Sequence, residues 1–313
     1  MTTPESSPSL TRDLALLEGS VGAYMTSDAL LRVSGDDRLT WLQGQLTRDL
    51  RGLTAGATAY GLLLHANGKV LADLDVLCRR DDVLLVCARD VAAEVQAQLE
   101  RYIMMEDVEL EALSGSVLAM QGPASVALLD PLRAELGADG VFPVDRLGLG
   151  GLLVLGHAEE PAAALPEAVR SAGGDWVSEE AVTLARLRAG RPLLGPDFGP
   201  SVLPQVAGLG RRALSFDKGC YRGQEPVVML EHRGSPPKRL VRLRFDAASA
   251  PVAGTTVRGS DDAALGAITS AARGPDGVVY ALGTLKRGAE LSDVVSVGDD
   301  ALRLPASALG FAE

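Results

Sequence analysis

At 313 residues and 47% hydrophobic, the chain has enough apolar material to bury a large core and to divide into two or three domains. A net charge of -11 with 4% aromatic residues lacks the basic footprint of a general nucleic-acid binder, and a polar first nine residues with no long apolar run predict neither export nor membrane insertion. The three cysteines form no C-x-x-C or Cys/His cluster, which argues against a disulfide framework or a resident metal site and points to a cytoplasmic protein.

In chain order, Leu30 to Val33 reads as a strand, and Ser34-Gly35-Asp36 offers an N-cap to a helix whose apolar face is Leu39, Leu42, Leu46 and Leu50. Ala59 to His65 and Lys69 to Arg79 read as strands joined around Asn67-Gly68, the dipeptide suited to a type I′ hairpin turn, and Val83 to Ala88 supplies a third strand. Strand alternation puts Val70, Leu74, Val76 and Cys78 on one face and Asp73 and Asp75 on the other. Cys78 and Cys87 are therefore expected in the core. By the residues alone, the two aspartates line the solvated side of a strand. A helical stripe of Val91, Val95, Leu99 and Tyr102 is expected to cover this sheet.

A second α+β unit follows. It has two strands between Val108 and Gln121, a helix from Ala124 to about Leu136, a strand from Leu152 to Leu155 and a helix from Ala162 to Ala172. Ser178 and Gly190 are the expected caps of a helix from Glu179 to Ala189. Beyond Pro236-Pro237, five short strands separated by Gly, Pro and Asp predict a small β-barrel or sandwich.

Between these units, Ser215 to Glu225 places a thiol, a phenol, two cations and two anions within eleven residues. Ala213 to Phe216 reads as a strand entering the segment, and a helix leaves it with Pro226 in its first turn. Cys220 then sits ahead of a helix N-terminus beside Lys218 and Arg222, a setting that lowers a thiol pKa. The alternative is an ordinary buried cysteine.

Lys-Gly-Cys-Tyr-x-Gly-Gln-Glu, at Lys218 to Glu225, resembles the signature of the YgfZ family of folate-binding proteins, relatives of the glycine-cleavage T-protein (aminomethyltransferase). Gly35-Asp36-Asp37 through Asp49, Leu203-Pro204-Gln205 and Leu265 to Ser270 resemble further family segments. The resemblance implies an α+β, multidomain aminomethyltransferase-like fold. Its expected spans are an N-terminal folate-binding unit over 1–115, a second unit with the signature over 116–235 and a C-terminal β-barrel over 236–313, the first domain being discontinuous in relatives. It implies tetrahydrofolate, or a one-carbon or polyglutamyl derivative, as ligand. It also implies a role in one-carbon metabolism and iron-sulfur cluster assembly or repair, with client enzymes as partners and an indirect link to tRNA modification.

Lys218, Tyr221, Arg222, Gln224, Glu225, Gln205 and Asp73 are the folate contacts so implied, and Cys220, with Lys218 and Tyr221, is the reactive group. Two positions depart from the aminomethyltransferases. Their paired Asp-Asp is Ala72-Asp73 here, and their pterin-gripping Glu is Arg188. Both departures weigh against the alternative of a folate-dependent one-carbon transferase. A thiol redox protein is the third reading.

Overall fold

The computed structural model describes residues 8–157, 165–200, 202–260 and 262–298, and its strands form three five-stranded sheets. Helix α1 (Pro8–Gly19) leads into β1 (Gly22–Met25), and β2 (Asp28–Ser34) is followed by helix α2 (Arg38–Gln45). Then come β3 (Thr58–Leu64), β4 (Val70–Cys78), β5 (Val83–Ala88), α3 (Ala92–Glu100) and β6 (Glu109–Leu113), and the first sheet runs β3-β4-β5-β2-β6. The next strands and helices are β7 (Gly115–Gln121), α4 (Leu129–Leu136), β8 (Val141–Pro143), β9 (Gly151–His157), α5 (Leu165–Ser171) and β10 (Asp175–Trp176). The second sheet runs β10-β1-β7-β9-β8, so a strand from the start of the chain lies inside it. Helices α6 (Glu179–Ala189), α7 (Gly210–Ala213) and α8 (Gln224–Arg233) precede the third sheet. This sheet is built from β11 (Lys238–Asp246), β12 (Thr256–Gly259), β13 (Ala264–Arg273), β14 (Val278–Lys286) and β15 (Val294–Val297), in the order β11-β14-β13-β12-β15.

Helix α6 has the caps its sequence offers. The Ser178 hydroxyl accepts from the Ala181 N–H at 3.3 Å, and Gly190 closes the helix at φ +68°. Elsewhere the local rules yield to context. The hairpin turn is not type I′, because among the described residues Asp262 alone of the non-glycines has positive φ, so Asn67 lacks the positive φ that turn requires. Gly68, at φ +77°, forms instead the left-handed closing residue of a three-residue loop, with the Gly68 N–H donating to the His65 carbonyl at 2.9 Å. The helix expected from Ala124 is broken into a 3-10 turn, Ser125–Leu128, and α4. Pro131, with no N–H to donate, sits only in the first turn of α4 and prevents one continuous helix. The Asp37 carboxylate accepts from the Asp107 N–H rather than capping α2, which starts at Arg38. Of the helix expected over 162–172, residues 162–164 lie outside the described residues.

Apolar packing sets the layers. Leu74, Val76 and Leu85 of the first sheet pack with Leu42, Val95 and Leu99 of its covering helices. On the other face Leu30, Leu77, Leu84 and Val86 meet Val117, Ala119, Phe142 and Leu153 of the second sheet. Each fully buried Leu or Phe stabilises by about 1.5–3 kcal/mol relative to exposure, so this interface fixes the two sheets face to face. In the third sheet, Val241, Phe245, Val257, Ile268, Val279, Val294 and Val297 form a core whose members all come from the sheet itself and its connections. Helix α6 packs on the same sheet through a separate contact, Leu187 against Leu240 and Leu282.

The two expected N-terminal spans are interleaved. Residues 8–25 join the second unit, while Tyr221 and Val227 pack with Leu62, Leu64 and Val70 of the first-sheet hairpin.

Candidate ligand cavity

Where the apolar interface between the first two sheets ends, a cavity of about 810 Å³ opens between them, and α6 and the segment after it close one side. Strand parity decides what faces it. Asp73 and Asp75 leave β4 on the side opposite Leu74 and Val76, and in the antiparallel register Tyr60 lies across from Asp75. The aspartates are therefore interior groups, not the solvated strand face. The Tyr60 hydroxyl donates to Asp73 Oδ2 at 2.9 Å. Burial raises the Asp73 carboxyl above the usual carboxylate range, opposed by this hydrogen bond, and burial with the adjacent Asp73 charge raises Tyr60 well above an ordinary phenol.

Basic groups oppose these acids. Arg146 donates to Asp75 at 2.7 Å and to Asp28 at 2.5 Å, tying the segment after β8 to the first sheet. Tyr24 beside them is pushed up to about 12, chiefly by burial. The Arg212 guanidinium stacks over the Tyr60 ring at 4.0 Å. Arg191 is lowered by burial and by the neighbouring Arg212 charge, and its acidic neighbour Asp145 is 3.9 Å away. Arg186, also on the wall, donates to Asp197 at 2.7 Å and to Ser270 at 3.1 Å. Chemically the cavity offers a protonatable acid and phenol on one wall, and guanidiniums that complement anionic groups. Among the described residues no group of three or more His, Cys, Asp or Glu side chains could hold a metal ion.

Of the expected contacts, only Asp73 lines this cavity. Lys218 is buried, and its ammonium donates to the Leu46 carbonyl at 2.6 Å and the Arg48 carbonyl at 2.8 Å. Burial lowers its pKa to about 8. Tyr221 is buried in the hairpin core, and its hydroxyl has no partner among the described residues. The Arg222 N–H donates to the Gly44 carbonyl, and its guanidinium stacks on Tyr102 at 4.1 Å. Gln224 Oε1 accepts from the Tyr221 N–H at 3.4 Å, Gln205 Nε2 donates to the Val227 carbonyl at 2.8 Å, and Glu225 is exposed in the first turn of α8.

Gly223 explains its own place in the signature. Its φ is +74°, and a Cβ there would lie 2.4 Å from the His65 carbonyl oxygen. The signature thus straps α8 to the hairpin and to the loop after α2.

Cys220 is exposed, whereas Cys78 and Cys87 are buried. Burial raises Cys78 and pushes Cys87 up to about 12, so neither is a ready thiolate. The strand expected at Ala213 to Phe216 is absent. Helix α7 ends at Ala213, and α8 starts at Gln224 behind Gly223, so Cys220 lies on an irregular loop four residues before the helix. Gln43 and Thr47 also turn inward. Gln43 bonds Asp49 and Leu50, and the buried Thr47 hydroxyl donates to Ala213 and accepts from Leu62.

Ala72, one of the departures from the aminomethyltransferases, is fully buried in the helix-side core. A carboxylate there would face away from the cavity. Arg188 pairs instead with Glu18 at 2.6 Å and Asp276 at 3.2 Å, joining α1 and α6 to the third sheet. Sequence reading missed Tyr24, Tyr60, Arg146, Arg191 and Trp176. Tyr60 was within reach of the hairpin register; the others come from separate units and carry no local pattern.

Residues 11–143 match the family described as GCVT N-terminal domain. Relatives named tRNA-modifying protein YgfZ include that of Edwardsiella ictaluri (strain 93-146), 30% identical over 293 residues that cover 87% of this chain and 86% of the relative. That of Yersinia pestis (strain Pestoides F) is 28% identical over 289 residues, 88% of this chain and 87% of the relative. The glycine cleavage system aminomethyltransferase T from Bartonella henselae superposes with a TM-score of 0.77 at 23% identity, over 91% of this chain and 83% of that one, and so shares the fold.

Proposed function

The chain belongs to the YgfZ family, and on that premise we propose that it is a tetrahydrofolate-binding accessory protein that supports assembly or repair of iron-sulfur clusters in client enzymes. The observation that carries the folate reading is the Tyr60–Asp73 pair on the wall of a cavity of about 810 Å³ that also presents Arg191 and Arg212. That volume suits a ligand of folate size. A buried carboxyl with a raised pKa can share a proton with the N–H and carbonyl edge of a heterocycle, and guanidiniums suit the glutamate carboxylates of folate or a polyglutamyl form.

Bound tetrahydrofolate would supply one-carbon chemistry. The protein's groups bind and orient it: Asp73, held by the Tyr60 hydroxyl, meets the heterocycle, and the Arg191 and Arg212 guanidiniums meet the anionic tail. Cys220, outside the cavity lining and open to solvent, is assigned to the client side, where a thiolate can engage sulfur or iron. Lys218 and Tyr221 act beneath it as struts of the loop rather than as reacting groups.

The relatives' name concerns tRNA modification. With a net charge of -11, we assign that link to client enzymes in the cytoplasm rather than to direct tRNA contact.

Anaerobic calorimetric titration with tetrahydrofolate tests the reading: micromolar binding is expected in the wild type and a loss of affinity in Asp73→Asn. Absence of heat with every folate form refutes it. For the thiol, Cys220→Ala is expected to bind folate normally yet fail to restore iron-sulfur enzyme activity in a deletion strain.

The acid in the cavity also favours a second reading, a one-carbon transferase. Steady production of 5,10-methylene-tetrahydrofolate from an aminomethyl donor would place it first.

A further inference from the structure

Three large hydrophobic side chains that stand exposed to solvent lie on the lining of the cavity: Met25, Trp176 and Leu193, at 46%, 41% and 49% exposure. An exposed tryptophan is the costliest of these, since it leaves a large apolar surface in water. Its backbone is nevertheless fixed. Trp176 pairs in parallel register with Ala23 of β1, the following Val177 N–H donates to the Ala23 carbonyl at 3.0 Å, and the preceding Asp175 is held by the Arg12 guanidinium. The indole is thus a solvent-facing ring on an anchored strand at the rim of the cavity. The chain's other tryptophan, Trp41, is buried, with its indole N–H donating to the Tyr102 carbonyl at 3.0 Å.

We propose that Trp176 is a stacking platform at the cavity mouth that holds an aromatic ring of the ligand lying beyond the reach of the Tyr60–Asp73 wall. The assignment rests on the folate reading and specifies it: the ring is the aryl group joining the heterocycle to the anionic tail. An indole face takes any flat π-system without demanding hydrogen bonds, and Met25 offers an adaptable apolar contact beside it. The mouth would therefore select for a ligand with two separated ring systems over a lone pterin.

The test titrates the wild type, Trp176→Phe and Trp176→Ala with tetrahydrofolate and with a reduced pterin lacking the aryl group. Anaerobic calorimetry and tryptophan fluorescence are read together. Trp41 remains in all three proteins, so the difference between wild type and Trp176→Phe isolates the Trp176 signal. The expected result is a fluorescence change in the wild type with the calorimetric midpoint. Trp176→Ala should weaken tetrahydrofolate roughly tenfold, with Trp176→Phe in between and the short pterin binding all three alike. Equal tetrahydrofolate affinity in all three proteins with a silent Trp176 overturns the platform and leaves the folate reading standing. No heat with either ligand in the wild type refutes the folate reading, and the platform falls with it. Equal weakening of both ligands in Trp176→Ala also overturns the proposal, because it marks general damage to the cavity.

Discussion

Replacing Lys218 with Met distinguishes a structural strut from a ligand contact. The side chain stays long and apolar, but the Leu46 and Arg48 carbonyls, at 2.6 and 2.8 Å from the ammonium, lose their donor. A buried acceptor left unpaired costs about 1–3 kcal/mol. Part of that loss is offset because the folded state no longer carries a desolvated charge, the burial that lowers Lys218 to about 8. The net expectation at pH 7 is about 2 kcal/mol, a factor of roughly 30 in the folding constant.

The pH dependence has a definite sign. Between about 8 in the folded state and the ordinary lysine value of 10.5, the unfolded chain binds more protons, so wild-type stability relative to Lys218→Met rises with pH across that window and is flat below it. The neutral amine still has two N–H donors for the two carbonyls. Urea unfolding of both proteins at pH 7 and pH 9.5, beside tetrahydrofolate titration, measures it. An unmoved unfolding midpoint with folate affinity lost would refute the strut and return Lys218 to the ligand.

Asp73→Asn keeps an acceptor for Tyr60 but removes the titratable group, and is expected to weaken tetrahydrofolate about tenfold by calorimetry. Gly223→Ala should destabilise by about 2 kcal/mol or more in urea, since φ +74° and the His65 oxygen 2.4 Å from the new Cβ both oppose it. The Asp197 side chain accepts from Arg186, Thr269 and Ser270 at 2.7, 2.6 and 2.6 Å, and Asp197→Ala should cost about 3–5 kcal/mol by stranding Arg186. Maleimide labelling of the native protein, read by intact mass, should modify Cys220 alone, with Cys78 and Cys87 reacting only after unfolding; early labelling of either would contradict their burial.

Elements whose rules are local are legible in the sequence itself. The caps of α6, the hairpin strands and the five C-terminal strands are each specified within about ten residues by periodicity and by Ser, Gly or Pro. The family, too, is readable from Lys218 to Glu225. What failed locally failed for identifiable reasons. Asn67 lacks the positive φ of a type I′ turn, Pro131 divides a helix, and Ala213 ends α7 with Leu214 to Phe216 following it as irregular chain instead of joining a sheet.

The site itself divides along the same line. Alternation in β4 determines by sequence that Asp73 and Asp75 share a face, because side-chain direction in a strand has period two. Whether that face meets water or a ligand is decided only when the second sheet packs over it, bringing Arg146 and Tyr24 from other units beside Asp75 and Trp176 to the rim of the same cavity. The charge-rich signature reads as a site in one dimension. In three, its lysine, tyrosine and glycine are consumed by the backbone carbonyls and hairpin core they hold, and Cys220 alone of its reactive groups is left to solvent. Sequence carries the chemistry of each residue, but which groups remain free for function depends on the partners that burial assigns to the rest.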